Sequence, residues 1–550
     1  MAFPISCEPP PADFPNHLAL GQPERLTLKP SPWLLVGLVL LCLAPRAWMA
    51  RRIASICPDG VLYINAARAL EAGNLHAAFQ EMSLNVYPVI LVLLHRLGMP
   101  WESAAVVWNV VISCLVVLPL YGWVRRQFDD RLAIIACLLY AVHPKFIEWS
   151  PEVMRDPTFW FLFILSIYWL WRAVTEARVR YFVTGGAAVT LAVLTRTEGW
   201  FLLIPFALWT FWRWLALGTA RQRVLWGAAL GLAVFPSLLL TVNLAWVHGR
   251  GGWAAPRLKP LERVEPWLQS LLTSDSATEE DASGLEAQRS LKRMVWVYFP
   301  TLTRGLSPIF ALLMFGGMWG WRRVWARRDH QPPFYTALLI LLGIWVQLWF
   351  DRDICPRYAL PIVLMASPFA ALGLLTLAAR LLRIAAWFGV LRKTIPVQRT
   401  VLVTVLLGVA VAGIADAWHS NRRYSEARVM AGDLGRWVRR QFSAPPMLVG
   451  PVGLTPVANY YAFDGPCEAF RWETTPAAIL AMVQQSKAEV VLLRSAKQLT
   501  PERCASLAER MQQLGFRAVD RADLPPTCDE VQVLLRDHRS ARTAPGTVRR

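Results

Sequence analysis

The sequence predicts a mainly α-helical, polytopic transmembrane bundle of about eleven spans, followed by a small C-terminal α/β domain. Three observations lead there. Of its 550 residues 55% are hydrophobic and only 17% charged, with a mean hydropathy of +0.36, whereas soluble domains carry about 25% charged residues. Apolar runs of about 20 residues, the length that crosses a bilayer, recur along the chain. Tryptophan is abundant, at 27 residues, and Trp collects where an apolar ring meets the headgroups.

The predicted spans cover 32–49, 103–124, 131–148, 157–174, 181–196, 199–217, 224–247, 298–321, 334–350, 357–380 and 400–417. The run Tyr87–Leu97 is too short to cross and reads as a helix lying in the interface. Residues 1–30 form a polar, Pro-rich segment without the features of a cleavable signal, so 32–49 is expected to be a retained span. The membrane domain extends over 31–418, the soluble α/β domain over 419–540 and a basic tail over 541–550. Within the α/β domain the pattern predicts a helix at Ser425–Phe442, strands at Met447–Val452, Glu489–Leu493 and Val531–Leu535, and helices at Pro476–Gln485 and Pro501–Leu514.

The net charge of +19 does not indicate nucleic acid, because the arginines sit in short clusters between apolar runs, as retained cytoplasmic loops require. Alternate connections hold Arg125, Arg126 and Arg131, then Arg172, Arg178 and Arg180, then Arg213, Arg221 and Arg223. Arg322, Arg323, Arg327 and Arg328 follow, and then Arg383, Arg392, Lys393 and Arg399. This places the N-terminus in the cytoplasm and the C-terminal domain outside. Arg46, Arg51 and Arg52 run against the pattern. The nine cysteines include no CxxC pair and no zinc spacing. Cys467, Cys504 and Cys528 share the outer domain and leave room for one disulfide, without choosing the pair.

With this orientation the chemistry-bearing residues collect on the external face. The first external loop opens Cys57-Pro58-Asp59-Gly60-Val61-Leu62-Tyr63, where Asp59 is either a helix N-cap or a functional carboxylate. The second reads Glu148-Trp149-Ser150-Pro151-Glu152-Val153-Met154-Arg155-Asp156-Pro157. Asp156 before Pro157 suits a helix start; Glu152 has no such explanation and is the sharper candidate. Arg155, Arg196, Arg352 and Arg357 are candidates for a phosphate, each with the alternative of a snorkelling or ion-paired side chain. Tyr63, Tyr87, His143, Lys145, Glu198 and Tyr358 are candidate cavity residues.

The order of these pieces, a first span, Asp-Gly-x-x-Tyr opening an A-x-x-L-x-x-G-N helix, Tyr87-Pro88, a Glu-containing second loop and Arg357-Tyr358-x-x-Pro361, resembles the membrane glycosyltransferases that use polyprenyl-phosphate sugars. These include the protein O-mannosyltransferases and the aminoarabinose transferase of lipid A, which share the GT-C fold. The resemblance covers about residues 30–420. It implies a sugar leaving a lipid phosphate for a lipid, glycan or protein acceptor at the extracytoplasmic face, with inversion. By position it makes Asp59 the base or acceptor-orienting group and matches the second-loop acid to Glu152, with Asp156 as the alternative. A divalent metal stays open. The family's paired acidic motif is interrupted here by Gly60, which counts against a metal at Asp59. Two other readings are a transporter or flippase of lipid-linked glycans, for which no internal repeat is visible, and a non-enzymatic membrane subunit of an envelope assembly.

Overall fold

The computed structural model describes residues 31–82, 84–216, 221–250, 291–320, 331–351, 354–387, 395–471, 474–494 and 500–537. The N-terminal segment, the basic tail, the cluster Arg322–Arg328 and the candidate Arg352 lie outside the described residues.

The first span is α1 (Pro32–Ala50). Three short helices follow, α2 (Pro58–Glu71), α3 (Leu75–Glu81) and α4 (Val86–Arg96). Asn74 and Asn85 begin the last two by accepting from the amides of Ala77 and Tyr87, which satisfies otherwise orphaned donors. The α4 helix buries Tyr87, Leu91 and Val92 and exposes Val89 and Leu93.

Helices α5 (Trp101–Leu115) and α6 (Val117–Gln127) together make one long apolar crossing. Next, the predicted span 131–148 is split into α7 (Asp130–Val142) and α8 (Pro144–Trp149). The cause is local: His143 precedes proline and takes an extended conformation, as residues before proline prefer. Then come α9 (Asp156–Glu176), α10 (Val179–Thr195), a 3₁₀ turn at Thr197–Leu202, α11 (Leu203–Ala216) and α12 (Arg221–Arg250). The predicted span 298–321 is also bent, by 87° between α13 (Leu291–Leu306) and α14 (Pro308–Gly320). Ser307 at the corner has φ +59°, and Pro308 has no amide to continue the ladder. Helix α15 (Gln331–Asp351), a 3₁₀ turn at Pro356–Ala359, α16 (Leu360–Trp387) and α17 (Ile395–Gln441) complete the helical part. Among the described residues six helices are long and apolar enough to cross a bilayer, or seven if the bent pair counts as one span.

Helix α17 runs for 47 residues and joins the predicted span 400–417 to the predicted helix Ser425–Phe442 without a break. No Pro or Gly falls between Gly413 and Gly432. It leads into β1 (Leu448–Pro451), α18 (Thr455–Ala462), β2 (Cys467–Phe470), α19 (Pro476–Gln485), β3 (Val490–Arg494), α20 (Pro501–Gln513), β4 (Phe516–Ala518) and β5 (Val531–Arg536). The sheet order is β2-β1-β3-β5-β4. Strand β1 is parallel to both β2 and β3, and β5 is antiparallel to β3 and β4. Val491, Leu493 and Leu534 pack beneath Ile479, Val483, Leu507 and Met511. Strands β2 and β4 escape the sequence pattern because they are short edge strands with little burial. Cys467, Cys504 and Cys528, for which the sequence left one disulfide open, are free thiols here. They face different surroundings: Cys467 lies on an edge strand, and Cys528 donates to the Met430 carbonyl of α17.

Arg46, Arg51 and Arg52 opposed the charge pattern, and the structure shows why Arg46 does not count as a loop cation. Arg46 is fully buried and donates to Ser150 Oγ at 3.1 Å and to the Cys42 and Ala141 carbonyls at 3.0 and 3.1 Å. Arg52 lies over the ring of Trp418 at 3.7 Å.

Close helix contact in a bilayer rests on packing rather than water exclusion, which favours small residues at crossings. Helices α14 and α16 show this. A Cβ at Gly317 would meet the Phe369 carbonyl, and one at Gly373 the Leu313 carbonyl. Gly317→Leu should force these backbones apart at a cost of about 1–3 kcal/mol, lowering by several degrees the unfolding midpoint read by tryptophan fluorescence in detergent. An unchanged midpoint would contradict this packing.

Candidate active site

Residues distant in sequence meet at one end of the bundle. Cys57 is the extended residue before α2, Pro58 opens the helix and Asp59 sits in its first turn. Asp59 is therefore inside the helix rather than its N-cap, with its carboxylate at the positive end of the helix dipole. Arg357, from the 3₁₀ turn after α15, donates to Asp59 at 2.7 Å. The Asp59 side chain remains 38% exposed. The other amino group of Arg357 lies 3.1 Å from Met154 Sδ, and its charge also interacts with Asp156.

Asp156 begins α9 ahead of Pro157. Its side chain is only 2% exposed, and Arg196 donates to it at 2.6 Å. The same guanidinium holds Glu198 through Nε at 3.1 Å and through Nη2, and it lies 5.0 Å over the Tyr358 ring. Burial pushes the Glu198 carboxyl up, but the charge and hydrogen bond of Arg196 outweigh it and hold the group down at about 2. Arg196 is raised in turn: burial opposes its charge, and Asp156 and Glu198 more than offset that.

Glu152, the sharper candidate of the second loop, is 2% exposed and ion-paired with Arg428 of α17. Asn109 fixes this loop by donating to the backbone carbonyls of Glu152 and, at 2.8 Å, Met154. Asn109 also donates to Tyr87 Oη at 3.1 Å, and the Tyr87 ring meets Tyr63 edge-on at 5.3 Å. The Arg155 guanidinium lies 6.0 Å over the Tyr63 ring, its Nε has no hydrogen-bond partner, and its charge reaches Glu198.

Asp59, Arg155, Asp156, Arg196, Glu198, Arg357 and Tyr358 thus form one connected cluster, with Tyr63 and Tyr87 beneath it. His143 and Lys145 are engaged elsewhere. His143 Nε2 lies 3.1 Å from the Leu306 carbonyl at the corner of the bent pair. Lys145 donates to Glu148 at 2.6 Å and to Ser420 at 3.1 Å. Sequence reasoning missed Arg428. A buried Glu152 required a cation, but nothing in the pattern said which one. Among the described residues no three His, Cys, Asp or Glu side chains converge as metal ligands would. Asp59, Glu152, Asp156 and Glu198 each face a guanidinium.

Residues 85–240 match the family of dolichyl-phosphate-mannose-protein mannosyltransferases. The chain is 29% identical over 370 residues to the undecaprenyl phosphate-α-4-amino-4-deoxy-L-arabinose arabinosyl transferase of Pseudomonas aeruginosa, covering 60% of this chain and 59% of that one. The counterpart from Pseudomonas paraeruginosa is 30% identical over 371 residues. The chain thus aligns with 59% of the length of these relatives. Among solved structures, ArnT from Cupriavidus metallidurans bound to undecaprenyl phosphate superposes with a TM-score of 0.55, at 14% identity, over 92% of this chain and 98% of that one. The chain shares the fold of this ArnT structure. The Archaeoglobus fulgidus oligosaccharyltransferase, solved with Zn and sulfate, is similar at a TM-score of 0.51 and 14% identity, over 84% of this chain and 68% of that one. This likeness of fold agrees with the resemblance that the order of spans and loops carries over about residues 30–420.

The Arg196–Glu198 pair has a consequence in acid. A carboxyl held low in the folded state adds stability above its ordinary value near 4.5, and this is lost as pH falls through about 2. The stability advantage of the native protein over Glu198→Gln should be constant above about pH 5. It should shrink steadily below that in thermal melts. An advantage that does not change with pH would contradict the pairing.

Proposed function

We propose that this chain is a membrane glycosyltransferase. It moves a sugar from a polyprenyl-phosphate donor to a hydroxyl of a lipid, glycan or protein acceptor at the extracytoplasmic face. One observation carries the reading. Of the acids at this end of the bundle, Asp156, Glu152 and Glu198 are at most 15% exposed and held by arginine, whereas Asp59, although paired with Arg357, keeps 38% of its side chain open to an incoming group.

The chemistry follows from that arrangement. A lipid phosphate is a good leaving group, so the donor needs no strong acid. An acceptor hydroxyl is a poor nucleophile and gains from a positioned carboxylate. Asp59 takes the hydroxyl proton as the acceptor oxygen bonds to the anomeric carbon. The bond from that carbon to the phosphate oxygen breaks, and its electron pair leaves with the polyprenyl phosphate. Positive charge builds on the sugar ring, as in glycoside hydrolysis. One displacement inverts the anomeric centre. Arg357 and Arg155 are placed to meet the charge gathering on the phosphate. Arg196 holds Asp156 and Glu198 and orders the wall behind them.

Charge supports the placement. Helix α9 carries Asp156 at one end and Arg172 at the other, about 25 Å away at 1.5 Å per residue. The cluster of Arg126, Arg172 and Arg180 lies at that far end, where Arg126 stacks on Tyr168 and Arg172 on Tyr181. By the positive-inside rule this supports a site on the external side. Broken helices would also suit a transporter, but here the two breaks close on each other through His143 and Leu306.

The undecaprenyl-phosphate aminoarabinose named for the Pseudomonas relatives is the first donor to test. Asp59→Asn should lower kcat by roughly 10²–10⁴-fold while the protein stays folded and monodisperse. Near-native turnover in that variant would remove Asp59 from the catalytic role.

A further inference from the structure

Arg428 touches both acid-bearing segments at once. Its guanidinium donates to buried Glu152, and its own carbonyl oxygen accepts from Ser55 Oγ at 2.8 Å. Ser55 lies just before Asp59, and Glu152 just before Asp156.

The two segments are also tied to each other. Cys57 Sγ donates to the Val153 carbonyl at 3.6 Å. Gly60 lies so close to Val153 that an added Cβ would stand 2.9 Å from the valine Cβ. A shift of Glu152 would therefore move Val153 against α2 and displace Arg155 and Met154, the latter in contact with Arg357.

Further contacts come from beyond α17. The Ile56 amide donates to Tyr461 Oη at 3.1 Å, and Tyr461 donates to Glu102 at 3.1 Å. Arg68 of α2 pairs with Asp464. The sheet-bearing unit thus grips the membrane part directly around the site, and Arg428 is the residue that spans it.

We propose that Arg428 is a positioning residue for the transfer reaction. By holding Glu152 with its side chain and Ser55 with its carbonyl, it fixes the spacing between Asp59 and the Arg155–Asp156 segment. The C-terminal unit thereby sets the geometry of the site. Glu152 is the anchor point of this clamp rather than a base, because its charge is already taken up by Arg428. This rests on the glycosyl-transfer reading above.

The test uses the full chain in nanodiscs and four proteins: native, R428Q, E152Q and the double variant R428Q/E152Q. Removing one partner leaves a buried charge unmatched, whereas removing both leaves two neutral amides that can hydrogen-bond. Misplacement of catalytic groups by about 1 Å costs on the order of 10²-fold. The expected result for R428Q is a kcat about 10–100-fold lower with the donor KM essentially unchanged. The double variant should recover most of that loss.

A double variant no better than R428Q would overturn the proposal, and so would a loss confined to KM. If R428Q does not fold, R428K takes its place. Its ammonium keeps the charge but not the planar fork, so kcat should still fall at constant KM, and a native kcat would overturn the proposal. A native protein silent with every donor would instead strike the transfer reading. An active native protein whose double variant shows no recovery strikes only the clamp.

Discussion

Everything at the functional end of this protein depends on buried carboxylates being matched by arginine. An acid removed from water without a partner is too costly to keep ionised, and breaking one side of a buried pair costs roughly 3–5 kcal/mol. Here Asp156 is matched by Arg196 and Glu152 by Arg428, and Arg196 serves Glu198 as well. These pairs join segments that are remote in sequence, so they decide which helix ends meet. Asp59, paired with Arg357, is the acid of this network that keeps part of its side chain open.

Much of this was legible in the sequence, because hydropathy, charge clusters and the position of prolines act locally. The apolar runs yielded the long crossings at α1, α5–α6, α9, α15, α16 and α17. The Tyr87–Leu97 run yielded α4, and the β1, β3 and β5 segments were visible as buried apolar strands. The loop acids and Arg357 stood out because charges at membrane depth need a reason. The two broken spans were harder. Both breaks fall at a residue before proline, His143-Pro144 and Ser307-Pro308, but Pro45, Pro300 and Pro368 are carried inside helices. Proline alone does not tell a break from a tolerated kink. The deciding features are tertiary, such as the contact of His143 with Leu306.

Partner choice was not legible at all. Glu152 looked like a free functional acid because its cation lies 276 residues away, on a helix that the sequence assigns to the soluble domain. Arg46 looked like a misplaced loop charge because the carbonyls that receive it belong mostly to another helix. In both cases sequence gave the residue type and depth, and only the fold supplied the neighbour. The same holds for the C-terminal unit, whose strands were readable but whose grip on Ser55, Ile56 and Arg68 was not. What appears as an appended domain is part of the wall that shapes the site.

The measurement that bears most directly on the account is transfer from radiolabelled polyprenyl-phosphate sugars, with purified full-length protein in proteoliposomes supplied with lipid, glycan and peptide acceptors. The account predicts that label leaves the polyprenyl phosphate and appears covalently on one acceptor class, with free polyprenyl phosphate as the second product. Label that stays on its lipid with every donor and acceptor, or crosses the bilayer still attached to it, would contradict the account.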